Sequence, residues 1–400
     1  MPLASDRFDR PVLAAASLVA VVFLNLLGFG IIVPLLPFYA QSFHAAPWEI
    51  ALIFSAFAFG GFFGEPFWGK LSDRHGRKPL LLWTVGCNCL CYLALTQAES
   101  APAAILIRFL GGMTSGNNSV VQGYIADVTP PELRARRISW LGAANAMGLI
   151  VGPSLGGLLA SPELGPLGFR LPILACAGLS AACFLSVMLL IREPDVSDRK
   201  AHPMSSRWAA TGEVLRHPVL SRLTLLTFLI GSAFSGIESI FGLWGHARFG
   251  WGPREVGLCF GVVGLVAGFT NFVLTGPLVE RFGEHRVLAT GMAMAVGGNL
   301  LQCFSTGLIS SIAILAVTAL GQSVAWPTVV SLISRNTPAE RQGQVLGLNN
   351  ATGGLARMIG PLIMGLAFAH LGVNAPFILA GFIVLPAIML ALRAGVRARA

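Results

Sequence analysis

Apolar runs of about twenty residues, nearly free of charge, recur along the whole chain and alternate with short polar connections. A helix rising ~1.5 Å per residue needs ~20 apolar residues to cross ~30 Å of hydrocarbon. The pattern therefore predicts membrane-spanning helices, not the core of a soluble fold. Spans are predicted at 12–38, 48–69, 79–97, 102–125, 138–160, 170–191, 219–244, 252–275, 286–304, 309–332, 343–368 and 373–393. The run that follows Arg7 and Arg10 is too long for a signal-peptide core and no convincing small-x-small cleavage site follows it, so it reads as a retained first span. The expected fold class is an all-α polytopic membrane protein with twelve transmembrane helices.

Charge refines this picture. Only 11% of the residues are charged, against 54% hydrophobic, and the formal net charge is +9. Nearly all Lys and Arg fall on the N-terminus, the even-numbered connections and the C-terminal tail. The odd connections and their borders hold only Arg170, Arg248 and Arg254, and only Arg108 and Arg357 lie deep inside spans. Positive residues mark the cytoplasmic side, so both termini are expected in the cytoplasm. No basic stripe interleaves with aromatics, so the basic excess reads as membrane topology and not as a nucleic-acid surface. The seven cysteines (Cys87, Cys89, Cys91, Cys176, Cys183, Cys259, Cys303) all lie inside predicted spans without CxxC pairs and read as small buried hydrophobes. No metal site and no cofactor is expected.

The longest polar stretch, "IREPDVSDRKAHPMSSRWAATGEVLRHP" at 191–218, falls at the midpoint and reads as a linker. It divides the chain into an N-terminal six-helix bundle at 1–191, a cytoplasmic linker at 192–218 and a C-terminal six-helix bundle at 219–400. A repeat supports the division. "GKLSDRHGRKP" at 69–79, "TPPE" at 129–132 and "GP" at 152–153 align at one nearly constant offset with "GPLVERFGEHR" at 276–286, "TPAE" at 337–340 and "GP" at 360–361. Parallel duplicated halves are a transporter architecture with the substrate near the midplane between them.

"GKLSDRHGRKP" resembles the signature loop between the second and third helices of the major facilitator superfamily. "GLIVGPSLGG" at 148–157 resembles the fifth-helix motif of its drug:proton antiporter branch, and "RFLGG" at 108–112 the fourth-helix Arg motif. "NLLGFGIIVPLLP" at 25–37 is similar to the first span of tetracycline efflux proteins. The resemblance covers the whole chain. It implies two pseudo-symmetric six-helix bundles, alternating access and export of a small lipophilic or amphipathic compound. It also implies drive by the proton gradient, a monomer, and a place in the bacterial inner membrane. Uptake or export of a metabolite such as a sugar or nucleoside would use the same fold, but the GP…GG element argues against it. No HExxH, metal cluster or phosphate-binding glycine loop suggests an enzyme.

Roles follow for particular residues. Gly69 and Gly76 permit a tight connection and close helix approach, while Asp73 can accept charged hydrogen bonds from Arg77 or Arg74. The resemblance implies that these residues, with Asp127, form a latch joining the halves when the cytoplasmic side is closed. Positive-inside bias alone would also place cations there. Gly148, Gly152, Gly156 and Gly157 share a helix face beside Pro153, which is expected to pack against the opposite half. Pro34, Pro37 and Pro327 read as bends beside the cavity.

Charge inside the membrane is costly and usually functional. Arg357 lies about 14 positions, or ~21 Å, from the cytoplasmic end of its helix, a depth comparable with Glu238. Glu65 is too shallow to meet them. Glu238 is the first candidate for the proton carrier and Glu65 the second, although Glu238 could be a static partner of Arg357 and Glu65 a brace for the loop cations. The resemblance implies a role near proton transfer for Arg108. Tetracycline exporters carry carboxylates where this chain has Asn25 and Cys91, which argues against a metal–tetracycline chelate as substrate. A cavity drawn from Asn25, Asn117, Asn118, Gln122, Phe241, Trp244, Asn271, Gln322, Trp326, Asn349 and Asn350 would suit uncharged or weakly charged amphipathic molecules.

Overall fold

The computed structural model describes residues 11–129, 131–191, 193, 212, 214, 217–338 and 341–397. Most of the expected linker, together with Arg7, Arg10 and the last residues of the tail, lies outside them. The described residues form helices and no strand. They are α1 (Pro11–Gln41), α2 (Pro47–His75), α3 (Arg77–Leu95), α4 (Ala101–Met113), α5 (Asn117–Val128), α6 (Pro131–Leu159) and α7 (Pro166–Leu190), then α8 (Pro218–Phe249), α9 (Pro253–Phe269), α10 (Thr275–Phe282), α11 (Glu284–Gln302), α12 (Leu308–Arg335), α13 (Gln342–Leu371) and α14 (Ala375–Arg397). Nine described helical segments are long and apolar enough to cross a bilayer. Counting α4 with α5 and α9 with α10 as interrupted spans gives twelve.

Each helix satisfies its backbone polar groups internally, as lipid demands. Proline opens α2, α8 and α9, where its missing N–H costs nothing. The starts of α2 and α9 match in detail: the Ala46 and Gly252 N–H groups donate to Glu49 and Glu255 at 2.7 and 2.9 Å. The turns that follow also match, since Gly76 (φ 100°) joins α2 to α3 and Gly283 (φ 80°) joins α10 to α11.

Packing repeats in the same way. α1 packs on α6 and α7 as α8 packs on α13 and α14; α3 packs on α7 as α11 does on α14. The pairs α2–α13 and α6–α9 cross between the two sets and exchange under the repeat, which is the signature of a pseudo-twofold arrangement. Large apolar side chains such as Trp83, Leu90, Phe272, Phe304 and Ile309 point outward, as a lipid-facing surface requires.

Three boundaries differ from the sequence reading. α2 runs on to His75, so most of the charged signature is helix and the connection is Gly76 alone. Hydropathy ends a span where charge begins, but backbone hydrogen bonding does not stop there. The fourth span is interrupted at 114–116. There Trp68 packs over Gly116 and its Nε1–H donates to the Met113 carbonyl at 2.6 Å, replacing part of the lost helix ladder. The eighth span continues through a π-helical turn at Thr270–Leu274 to Phe282.

Candidate functional site

A cavity of ≈ 520 Å³ lies between the two sets of helices. Its walls come from α1, α2, α4 and α5 on one side and α8, α12 and α13 on the other. Glu65, Arg108, Gln122, Glu238, Trp326, Asn350 and Arg357, scattered over almost 300 positions of sequence, all line it. Glu65 therefore shares the chamber of Glu238 and Arg357, contrary to its apparent shallowness. Depth along separate helices does not measure distance across an open cavity. Arg357 is the charge that acts on Glu238, although the two are not in ion-pair contact.

The apolar wall is mainly phenylalanine from the "AFAFGGFFG" segment of α2, with Phe29 of α1 at 5.5 Å from Phe57. Sequence reasoning missed these residues because an aromatic on a spanning helix faces lipid as readily as a cavity. Glycines decide the facing. A Cβ at Gly60 would strike the Phe109 carbonyl, one at Gly64 the Met113 carbonyl, and one at Gly112 the Phe57 carbonyl. α2 and α4 thus meet backbone to backbone. That approach lays the Arg108 guanidinium 4.2 Å from the centre of the Phe57 ring.

Several expected lining residues lie elsewhere. Phe241 and Trp244 are 1% and 0% exposed and belong to an aromatic core with Trp251 and Phe377. The reason is positional: just past Glu238, Gly242 already packs against Pro37 of α1, and the cavity has closed. Gln322 lies about one turn from Trp326 and is half-buried outside the chamber. Asn349 is buried and accepts from the Thr227 hydroxyl at 2.6 Å. Asn25 accepts from Asn88 at 3.1 Å, tying α1 to α3. Asn117 is buried beside the α4–α5 interruption, Asn271 is exposed on the π turn, and the Asn118 side chain lies outside the described residues. Pro34, Pro37 and Pro327 do not line the cavity, whereas Pro66 and Pro361 do.

The two ends of the molecule differ. At the end away from Gly76 the two sets of helices touch: Gly157 against Pro253 and Gly257, Gly365 against Ala51, and Gly242 against Pro37. Gly148, Gly152 and Gly156, by contrast, lie against the α1 backbone at Leu27, Gly30 and Ile31. The motif therefore faces both ways: these three glycines pack within their own half, while Ile150, the Pro153 carbonyl, Ser154 and Gly157 meet α9 of the other half at Gly257, Gly261, Gly264 and Gly268. Cavity-lining residues reach nearest to the Gly76 end at Gln122 and Gly347.

At that end Arg77 is a hub. It is 8% exposed and bonds Asp73 at 2.7 Å, Asp127 at 2.9 Å and the Ser72 hydroxyl at 2.6 Å. Gly123 makes room for its guanidinium, a role without a signal in one sequence. Arg74 is exposed and takes no part. The Glu193 carboxylate accepts the Arg77 and Lys78 N–H groups at 2.7 and 2.6 Å, capping α3 from the far end of the first half. Gly76 and Gly69 are then unequal. A Cβ at Gly76 would meet a left-handed backbone and Glu193 at 2.8 Å, whereas at Gly69 it would meet Ser119 at an ordinary 3.5 Å. Gly76→Ala should cost roughly 1–2 kcal/mol and Gly69→Ala about 0.5 kcal/mol or less, read as melting of the purified protein in detergent.

The family model described as Major Facilitator Superfamily matches residues 18–273 and 246–399. The chain belongs to the Major Facilitator Superfamily. It is a multi-pass membrane transporter, and its family is one of transporters, not enzymes. Among its relatives, Multidrug resistance protein 2 of Bacillus subtilis (strain 168) is 26% identical over 373 residues, covering 91% of this chain and 90% of the relative. The class C tetracycline resistance protein of Escherichia coli is 28% identical over 358 residues, covering 87% and 88%. A solved structure of a bacterial homolog of the human lysosomal transporter Spinster, described as inward-facing and occupied, superposes with a TM-score of 0.82 at 15% identity, covering 95% of this chain and 96% of that one. The two share a fold.

Proposed function

We propose that this protein is a proton-coupled antiporter that exports a small lipophilic or amphipathic compound, drug-like in character, from the cytoplasm by alternating access. The observation that carries the reading is the central chamber, in which aromatic walls surround two carboxylates and two guanidiniums drawn from both halves. A titratable carboxylate facing a chamber shared by both halves can exchange a proton as access alternates. The multidrug and tetracycline resistance relatives support export.

In this reading 1–191 and 219–400 are six-helix bundles joined by a cytoplasmic linker at 192–218. The protein lies as a monomer in the bacterial inner membrane with both termini inside. Glu238 carries the proton, with Glu65, Arg108 and Arg357 in the same chamber. The Asp73–Arg77–Asp127 hub belongs to the cytoplasmic latch, and contacts at the opposite end hold the outer path shut in a cytoplasm-facing conformation. The test uses purified full chain in vesicles with an imposed pH gradient and a screen of dyes, quinolones and tetracyclines. Opposed movement of compound and protons is expected. Movement of both in the same direction would overturn the proposal.

A further inference from the structure

Arg108 differs from the other charges in the chamber. Its side chain is buried, with the residue 4% exposed, yet no described residue accepts a hydrogen bond from it and its Nε is buried without a partner. Its titratable neighbours are Tyr92, Cys91 and Cys176, none of them a carboxylate. The Phe57 ring covers one face of the guanidinium, which attracts a cation without neutralising it. Arg357, by comparison, is exposed and is the charge acting on Glu238.

A guanidinium stays protonated at any physiological pH, and a buried one that lacks hydrogen-bond acceptors is a poor resting arrangement. Arginine's planar fork matches the two oxygens of a carboxylate, and such charge-assisted pairs strengthen where water is excluded. Arg108 also lines the cavity, so a molecule inside can reach its fork. Phe29, Phe54 and Phe57 surround the same region and would hold an aromatic or alicyclic body.

We propose that Arg108 is an anion subsite, and that the transported compound is an amphipathic carboxylate whose oxygens pair with the guanidinium while its apolar body lies on the phenylalanine wall. This rests on the transporter reading of the same chamber and narrows its substrate class. Glu65 and Glu238 do not fill the role, because neither forms an ion pair with Arg108 in the structure.

The test is binding and not transport, so that its failure is separable from failure of the antiport reading. The probes are naphthalene-2-carboxylate and its methyl ester, which share an apolar body and differ in charge. Binding to the full chain in dodecyl maltoside micelles is measured by equilibrium dialysis, with protein-free micelles correcting for partition. The carboxylate should bind at least about tenfold more tightly than the ester. Arg108→Gln should remove that preference and leave ester binding in place, which also reports that the chamber is still folded. Arg108→Lys, which keeps the charge but not the fork, should fall between them and serves if the Gln variant does not fold. Equal binding of acid and ester, no binding of either, or an acid preference that survives Arg108→Gln would each overturn the proposal. So would a preference that disappears in Arg357→Gln instead.

Discussion

Glu238→Gln should reduce transport driven by a pH gradient to the level of protein-free vesicles, while exchange of compound across the membrane without a gradient persists. Glutamine keeps the size and hydrogen-bonding reach of the protonated acid but cannot release a proton. The Glu238→Gln variant can therefore still bind and alternate, and what it loses is the link between the two processes. The prediction rests on placement: Glu238 lines the chamber between the halves and has Arg357 as its acting charge, without a direct ion pair that would hold it ionised in every state. The exchange seen in the variant should also lack the pH dependence of the parent. The measurement is paired flux in the same vesicles, with and without the gradient. If gradient-driven flux survives Glu238→Gln and is lost in Glu65→Gln, the proton travels on the carboxylate of α2.

The second large effect belongs to the Arg77 hub. Arg77→Ala should lower stability by about 2–3 kcal/mol, because it removes a buried guanidinium bonded to Asp127 and the Ser72 hydroxyl and opens a space beside Gly123. Asp127→Asn should cost roughly 1–2 kcal/mol, since its side chain is 23% exposed and an amide can still accept a hydrogen bond from Arg77. Asp73→Asn should cost no more than about 0.5 kcal/mol, because that side chain is 53% exposed and its i,i+4 pair is screened by solvent. Transport should separate from stability. Both aspartate variants should slow turnover if the hub acts as a latch between access states, and Asp73→Asn should do so with nearly normal melting. Melting curves in detergent and turnover in vesicles, taken on the same preparations, decide it. Normal turnover in Asp73→Asn would leave the hub a structural brace for the α2–α3 turn.

How much of this was legible in advance follows from what each signal measures. Hydropathy counts apolar residues against a fixed bilayer thickness, so the number and order of spans could be read from the chain. The internal repeat could also be read, and it reappears as matched helix starts at Ala46 and Gly252 and matched turns at Gly76 and Gly283. Intramembrane charge singled out Glu238, Arg108 and Arg357 because burying charge in lipid is costly wherever it occurs. These signals are local or depend on simple periodicity.

Neither the facing of each helix nor the depth at which the cavity closes was legible, and the misplaced residues fail on one or the other. Phe241 and Trp244 share α8 with Glu238 but stand closer to the end where Gly242 meets Pro37, so they became core. Asn349 and Asn350 are neighbours, yet one is bonded to Thr227 and the other lines the chamber, because adjacent residues on a helix point about 100° apart. Gly123 and Glu193 completed the Arg77 site from positions that carry no motif of their own.

Sequence by itself determined an all-helical membrane transporter with duplicated halves and the charges that would have to be accommodated in it. Tertiary structure decided which of those charges meet, which aromatics form a wall instead of a lipid face, and which end is closed. The physical reason is that spanning is set by the summed transfer energy of each segment, whereas a site is set by rotation and close approach between segments. In this chain, glycines at 60, 64 and 112 fix one such approach by letting two backbones touch, and Arg108 is carried with it onto Phe57.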